Sequence, residues 1–229
     1  MSSLSNLTLM AWVNLNSAST WSRIFDFGNN TTTYMFLTPQ CGGSGTLRFA
    51  MTTNSSGGEQ QINCASTLNT GAWHQVAVTL NSNQGILYLD GVAMGTNTSM
   101  MLNPAILGVT TNNCLGKSQW ADPYLNGSFD EFRIYNVGLS SAEIAATAAL
   151  GSSQLLSTNR PQVGLTLTGR NLTVSWPLAN AGFTVQSRTN LALGNWLNVT
   201  SPAPQITGGQ WQVMLPQSTN NPKFYRLVK

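Results

Sequence analysis

The segment Leu7-Thr8-Leu9-Met10-Ala11-Trp12-Val13-Asn14 alternates like a half-buried strand, and Ile24-Phe25-Asp26-Phe27 follows after a polar turn. Tyr34-Met35-Phe36-Leu37 and Leu47-Arg48-Phe49-Ala50-Met51 flank the turn Cys41-Gly42-Gly43-Ser44-Gly45 as a hairpin. Residues 60–64, 74–80 and 85–89 continue the series, and Asp90-Gly91 forms a tight turn before 92–94. Further on, Ser128, Asp130, Phe132 and Ile134 alternate with Phe129, Glu131, Arg133 and Tyr135, with apolar members on both sides. Asn136-Val137-Gly138 then turns the chain toward Ser140-Ser141-Ala142-Glu143. There the Ser140 hydroxyl can accept the Glu143 N–H while the Glu143 carboxylate accepts the Ser140 N–H, a capping box that starts a short helix near 141–150. Strands at this spacing, without helices between them, predict a two-sheet antiparallel sandwich over residues 5–140.

The pattern changes after the helix. Gly151-Ser152-Ser153-Gln154 and Thr158-Asn159-Arg160-Pro161 read as a linker, residues 151–162. Short strands follow at 164–168, 172–176, 183–187, 196–199, 210–215 and 224–228, separated by turns at Gly169, Pro177, Gly194 and Gly208-Gly209. The expected organisation is all-β: a two-sheet sandwich in 1–150, the linker, and a small all-β domain in 163–229.

Composition narrows the function. Only 7% of the 229 residues are charged and 41% are hydrophobic, so Asn, Thr, Ser and Gly supply most of the surface, as suits an extracellular protein. Seven Trp and eight Phe need a core, which argues against disorder. The net charge of +3 comes without a Lys/Arg cluster, which makes nucleic acid and anionic membrane poor partners. No apolar run reaches membrane-spanning length, and no signal-peptide core leads the chain, which is expected to be part of something longer. Cys41, Cys64 and Cys114 cannot all pair, and they lack zinc-site spacing. One disulfide with a free thiol and three buried thiols fit equally well; of the possible pairs, Cys41–Cys64 joins two strand ends of the meander.

Trp73-His74-Gln75-Val76-Ala77-Val78, Leu87-Tyr88-Leu89-Asp90-Gly91 and the closing stretch 115–144 together resemble the laminin-G-like family of concanavalin A-like jelly rolls, related to the pentraxins. The resemblance covers about residues 5–150. It implies a jelly roll and a secreted binding module. Family members usually open with an additional strand beside the closing strand; it is missing here, which would leave a sheet edge uncovered unless the C-terminal segment or an upstream piece covers it. Val174-Ser175-Trp176-Pro177 and the terminal Phe224-Tyr225-Arg226-Leu227 resemble small β modules of secreted bacterial polysaccharide-degrading enzymes, and the resemblance implies a small β-sandwich of fibronectin or immunoglobulin type in 163–229.

Glycoside hydrolases exist on this fold and need two carboxylates roughly 5–9.5 Å apart. Here Asp130 and Glu131 are adjacent, no acidic i, i+2 pair occurs, and His74 sits in a strand pattern without a triad. Catalysis is not expected. Trp12 and Trp73 alternate with apolar residues and are read as core, whereas Trp21 and Trp120 lie in polar loops where an indole can stack on a sugar. The loop Gln119-Trp120-Ala121-Asp122-Pro123-Tyr124 joins an amide, a carboxylate and two aromatics. With Asn29 and Asn30 of the loop 28–33, its Gln119, Trp120, Asp122 and Tyr124 form the expected ligand rim, since amides and carboxylates bond sugar hydroxyls. The related pentraxins hold calcium at corresponding loops. A structural calcium here would use Asp26, Asp122 and Asp130, although calcium prefers about six to eight oxygens, several from carboxylates. The expected function is a noncatalytic module that binds a neutral plant or algal polysaccharide or oligosaccharide, tethered to a catalytic domain in a secreted bacterial protein. The alternative is a protein-interaction or architectural module of a surface protein.

Overall fold

The computed structural model describes residues 1–217 and 222–229. The chain forms two compact units, Met1–Ile144 and Ala145–Lys229. Among the described residues, no helix is long and apolar enough to cross a membrane.

The first unit is a sandwich of two five-stranded antiparallel sheets. One sheet uses β1 (Leu7–Ser17), β6 (Trp73–Asn81), β7 (Gln84–Leu89), β8 (Val92–Asn97) and β10 (Asn126–Tyr135), in the order β10-β1-β6-β7-β8. The other uses β2 (Phe25–Gly28), β3 (Tyr34–Thr38), β4 (Arg48–Thr52), β5 (Gln60–Asn63) and β9 (Asn112–Leu115), in the order β5-β4-β3-β2-β9. A four-residue helix α1 (Pro104–Leu107) precedes β9, with the Asn103 side chain accepting the Ile106 N–H at its start. Leu7, Leu9, Ala11, Val13 and Leu15 occupy one face of β1 and interlock with Phe25, Met35, Leu37, Phe49, Val76, Val78 and Leu87 in a continuous buried core.

That phase of β1 corrects the reading of two tryptophans. Trp12 pairs with Gln75 and Asp130, and Trp73 pairs with Asn14, so both point away from the core. Trp12 is half-buried and Trp73 is 46% exposed. The outward face of this sheet nevertheless carries Thr8, Met10, Ala77 and Tyr88, all buried. Residues after β10 seal it: Thr8 donates to the Val137 carbonyl and accepts from the Leu139 N–H, both at 2.9 Å, and the Tyr88 and Ser141 hydroxyls are 3.1 Å apart. Ser141 opens α2 (Ser141–Leu150), and the capping box forms, with Glu143 N–H to Ser140 Oγ at 3.3 Å and Ser140 N–H to the Glu143 carboxylate at 3.0 Å.

The apolar residues on both sides of β10 have a specific cause. Met10 pairs with Arg133 and Trp12 with Asp130, so β10 carries an extra residue there, and Glu131 adopts φ 54. This bulge turns both Phe129 and Phe132 toward the core, where Phe132 meets Phe25 and Phe27 at 5.9 and 5.8 Å. Strict alternation could not do so. As the resemblance implied, β10 is an edge strand, and Asp130, Glu131 and Arg133 line it. Edge charge and a bulge both discourage pairing with another chain.

The second unit pairs β11 (Gly164–Thr168), β12 (Asn171–Pro177), β15 (Gln205–Thr207) and β16 (Gln210–Pro216) in the order β11-β12-β16-β15. The second sheet pairs β13 (Thr184–Arg188), β14 (Leu197–Asn198) and β17 (Phe224–Val228) in the order β14-β13-β17. Val174, Trp176, Val185, Trp211, Val213 and Leu215 form its core. Both indoles satisfy their N–H groups, Trp176 donating to the Asn180 carbonyl at 3.1 Å and Trp211 to that of Leu178 at 3.2 Å. The stretch 151–162, expected as a linker, lies on this unit. Leu156 packs on its core, the Ser157 N–H donates to Ala179, and the Asn180 amide donates to the Asn159 carbonyl at 2.7 Å. Cys41, Cys64 and Cys114 are all free thiols, so no Cys41–Cys64 bond forms.

Candidate functional site

The site rests on the outward face of the second five-stranded sheet. Met35 and Leu37 point into the core, so Tyr34, Phe36 and Thr38 point out, and the register sets Phe36 between Asp26 of β2 and Ala50 of β4. A bare sheet would expose this row to water. Instead Tyr34, Phe36, Ala50 and Asp26 are all buried.

Two loop tryptophans close over the row. Trp21 meets Phe36 edge-on with ring centroids 6.4 Å apart, and Trp120 meets Tyr34 edge-on at 4.8 Å. Tyr34 and Phe36 stack at 5.8 Å. Trp21 has φ 65, a left-handed conformation costing about 1–2 kcal/mol in a residue with a side chain. Its N–H donates to Gln40, and its ring lies so close to Gly42 that a Cβ there would meet it at 2.9 Å. Gly42 is what lets this indole fold down.

Between the tryptophans lies the Arg23 guanidinium, 4.0 Å above the Phe36 ring centre and 5.6 Å from those of Trp21 and Trp120. Its Nε is 3.5 Å from the Asp26 carboxylate, one terminal nitrogen is 3.3 Å from Asp122, and the other donates to the Trp21 carbonyl. Asp26 also accepts the Gln119 backbone N–H at 3.1 Å and its side-chain amide at 2.7 Å. That amide lies 2.7 Å from where a Cβ on Gly28 would be, so β2 needs glycine at this point. Ser118 donates to Asp122 and accepts from the Trp120 N–H. The loop 118–122 is therefore tied down by a buried cation and two carboxylates.

Burial pushes the Arg23 guanidinium below its ordinary value, opposed by Asp26, Asp122 and Glu59. Burial likewise pushes Asp26 above the ordinary carboxylate value, with the Gln119 hydrogen bonds and Arg23 opposing it only in part. The Tyr34 phenol is pushed upward by burial and by Glu59, to which it donates a 2.6 Å hydrogen bond. Gln61 donates to the other Glu59 oxygen at 2.8 Å.

Two depressions flank Trp120. An aromatic basin of about 200 Å³ is lined by Trp21, Arg23, Phe36, Glu59, Trp120 and Asp122. A more polar cleft of about 600 Å³ is lined by Asn29, Asn30, Asn112, Lys117, Gln119 and Trp120. Of the residues expected at the rim, Asn29, Asn30, Gln119 and Trp120 thus share the cleft, and Asp122 lies in the basin. Tyr124 is 71% exposed and lines neither. Asn29 and Asn30 also shape their own loops: the Asn29 side chain accepts from Thr111, and that of Asn30 accepts the N–H groups of Thr32 and Thr33.

The three carboxylates named for calcium do not converge. Asp26 and Asp122 both face Arg23, while Asp130 is exposed on β10 opposite Trp12, in the other sheet. Among the described residues, no group of three His, Cys, Asp or Glu is placed to hold a metal ion. The donor set does not fit calcium, because a guanidinium occupies the point where two of its ligands meet. The sequence reading missed Arg23, Tyr34, Phe36 and Glu59. One signal was present: Tyr34-Met35-Phe36-Leu37 is apolar at every position, which requires both faces of β3 to be covered.

Solved structures share this architecture. Domain 4 of AbnA, an extracellular arabinanase from Geobacillus stearothermophilus solved with arabinotriose, matches at TM-score 0.54 and 20% identity over 62% of this chain and 66% of that one. The CBM40 of a Ruminococcus gnavus sialidase, solved with sialyllactose, matches at TM-score 0.53 and 18% identity over 62% of this chain and 82% of that one. A leech intramolecular trans-sialidase matches at TM-score 0.53 and 16% identity, over 76% of this chain and 29% of its own length. At these identities the likeness is one of fold. No curated protein matches in sequence. Residues 1–145 match the laminin-G-like family of the concanavalin A-like lectin/glucanases superfamily, and the chain belongs to that family.

Proposed function

We propose that the first unit is a noncatalytic carbohydrate-binding module whose ligand stacks at Trp120. The observation that carries this reading is the position of Trp120. Its half-buried indole lines both depressions and is held edge-on by Tyr34 and from beneath by Arg23, with amide and carboxylate groups on either side. A rigid aromatic wall beside fixed hydrogen-bonding groups is what a pyranose or furanose needs, one apolar face and a ring of hydroxyls. The arabinanase domain and the sialidase module, both solved with oligosaccharides, support glycan binding on this fold.

A neutral sugar suits the basin. Arg23 is its cation, and Asp26, Asp122 and the Trp21 carbonyl already engage it. Glu59 and Asp122 would repel a carboxylate ligand there. In the polar cleft Lys117 is exposed, and acidic sugars therefore belong in the test panel. In this reading the chain is part of a secreted, bacterial polysaccharide-degrading protein, with the module tethering a catalytic domain to plant or algal glycan.

Affinity electrophoresis against neutral arabinans, glucans and galactans, with sialyllactose and a uronic polymer alongside, tests it. Retention on a neutral glycan is expected. Trp120→Ala should weaken binding several-fold, consistent with the ~0.5–1.5 kcal/mol of an aromatic contact. Because Trp120 also packs on Tyr34, Trp120→Leu serves as the second variant: it keeps bulk but loses the flat ring, and should weaken binding with less loss of stability. Retention unchanged in both variants would move the ligand away from Trp120. Absence of retention on every polymer would turn the reading toward an architectural module.

A further inference from the structure

The second unit carries a feature of a different kind. All seven Asp and Glu residues of the chain lie in the first unit, and residues 145–229 contain none. The same segment holds Arg160, Arg170, Arg188, Lys223, Arg226 and Lys229. Its two sheets are also unequal, four strands facing three. Among the described residues β11 pairs only with β12, and β17 only with β13, so each is a sheet edge.

A groove of about 480 Å³ runs between these edges, with Val163 and Leu165 on one side and 223–227 on the other. Successive residues of a strand point to opposite faces, so a cavity touched by every residue from Lys223 to Leu227 lies along the open edge of β17 and not over one face. Leu165 pairs with buried Val174 and points to the core side, yet it is 66% exposed. Leu167, paired with Leu172, is 58% exposed. The four-stranded sheet thus presents apolar core-side residues that the three-stranded sheet does not reach. Trp196 stands at the groove with Arg226 at 4.5 Å and Arg188 at 5.3 Å from its ring centre, and Lys223 and Arg226 line the wall.

We propose that this groove accepts an extended polypeptide segment from a partner, alternating apolar with acidic residues, which pairs along an open edge as an additional strand. Three observations select that occupant. Among the described residues the outer sides of β11 and β17 have no strand paired to them, and a peptide strand satisfies such backbone groups whereas a lipid chain does not. The apolar floor takes every second side chain of a strand. The cations at the wall, in a unit without any carboxylate side chain, select acidic residues at the intervening positions. At five residues each, β11 and β17 span about 17 Å, so a segment of about eight residues suffices.

The test uses the full chain and a blocked peptide of about eight residues alternating Val or Ile with Asp or Glu, followed by calorimetry and hydrogen exchange. Saturable binding is expected, with added protection of amides in β17 or β11. The same peptide with its alternation scrambled, or with Lys in place of the acids, should bind at least about tenfold more weakly at low salt. N-methylation of alternate peptide nitrogens on the pairing side should abolish binding. Lys223→Glu with Arg226→Glu should reverse the preference, favouring the Lys peptide; this swap also controls for folding, since a gain cannot come from an unfolded chain. Equal binding of the N-methylated peptide, or preference for dodecanoate over every peptide, would show an apolar pocket and overturn the strand assignment. Failure of all peptides would do the same.

Discussion

The two sheets of the first unit meet the same problem in opposite ways. Both carry apolar residues outward as well as inward: Met10, Ala77 and Tyr88 on one, Tyr34, Phe36 and Ala50 on the other. On the first sheet, the segment after β10 seals the face over Thr8 and Tyr88 with neutral groups, through Val137, Leu139 and Ser141, and the charged pair beside Met10, Arg133 with Glu131, lies on the edge strand β10. On the second, two tryptophans and a buried Arg23–Asp26–Asp122 group cover the face and leave depressions beside them. A neutral seal needs only packing. A charged cover is costly to build, because burying ions loses their hydration, but it fixes side chains in definite directions. The difference separates a face closed over from one that keeps two open depressions beside Trp120, where the proposed ligand would sit.

The strongest test of that contrast removes the cation. Arg23→Met keeps much of the volume but leaves Asp26 buried without its ion partner. It should destabilise the first unit by about 3–5 kcal/mol, measured by urea denaturation. Adding Asp26→Asn removes the stranded charge and should recover a large part of the loss. A cost below about 1 kcal/mol for the single variant would mean that the group behaves like a surface pair, and the face would not be held by charge.

Met10→Ala probes the sealed face. Met10 is 1% exposed, and truncating a buried Met should cost about 2–4 kcal/mol while glycan retention by the remaining folded protein stays unchanged. Loss of retention at matched folded fraction would show that the two faces are coupled and spoil the division.

How legible each face was in the sequence follows from the same chemistry. The strands and the capping box came from local alternation and turn residues, and those interactions span only a few positions. Trp12 was misplaced because a strand whose outward side is also buried loses its alternation, and nothing within β1 says which phase faces the core; Trp73 was misplaced because it opens β6, whose buried run begins only at Gln75. The bulge at Glu131 was present as a broken pattern, since Phe129 and Phe132 cannot share a face of a regular strand. Trp120, Gln119, Asn29 and Asn30 were named from residue type in loops, and the fold brings them to one cleft. Arg23 was not, because its role depends on Asp122, distant in sequence, and on Phe36 across the sheet. The absence of acids after Glu143 was visible in the sequence itself, but a search for clusters of Lys and Arg passes over it.

The smallest expected effect is a titration confined to the charged face. Asp26 has its value raised by burial, so between the ordinary carboxylate value and its own, the folded protein binds more protons than the unfolded chain. The contribution of Asp26 to stability is therefore fully present at acid pH and is lost as pH rises through its raised value. Other carboxylates titrate nearby, and Asp26→Asn, which cannot ionise, isolates this one. The stability of wild type minus that of Asp26→Asn should grow as pH is lowered from about 7 toward about 4. A flat difference would mean that Asp26 titrates as in the unfolded chain. A difference of opposite slope would mean that the two Gln119 hydrogen bonds and Arg23 outweigh burial, making the ionised form the favoured one. The sealed face offers an internal control. Thr8, Met10, Ala77 and Tyr88 include no carboxylate or imidazole, and the charged pair beside Met10, Arg133 with Glu131 at 3.2 Å, lies on the edge strand β10, so the cost of Met10→Ala should change less over the same range than the Asp26 difference does.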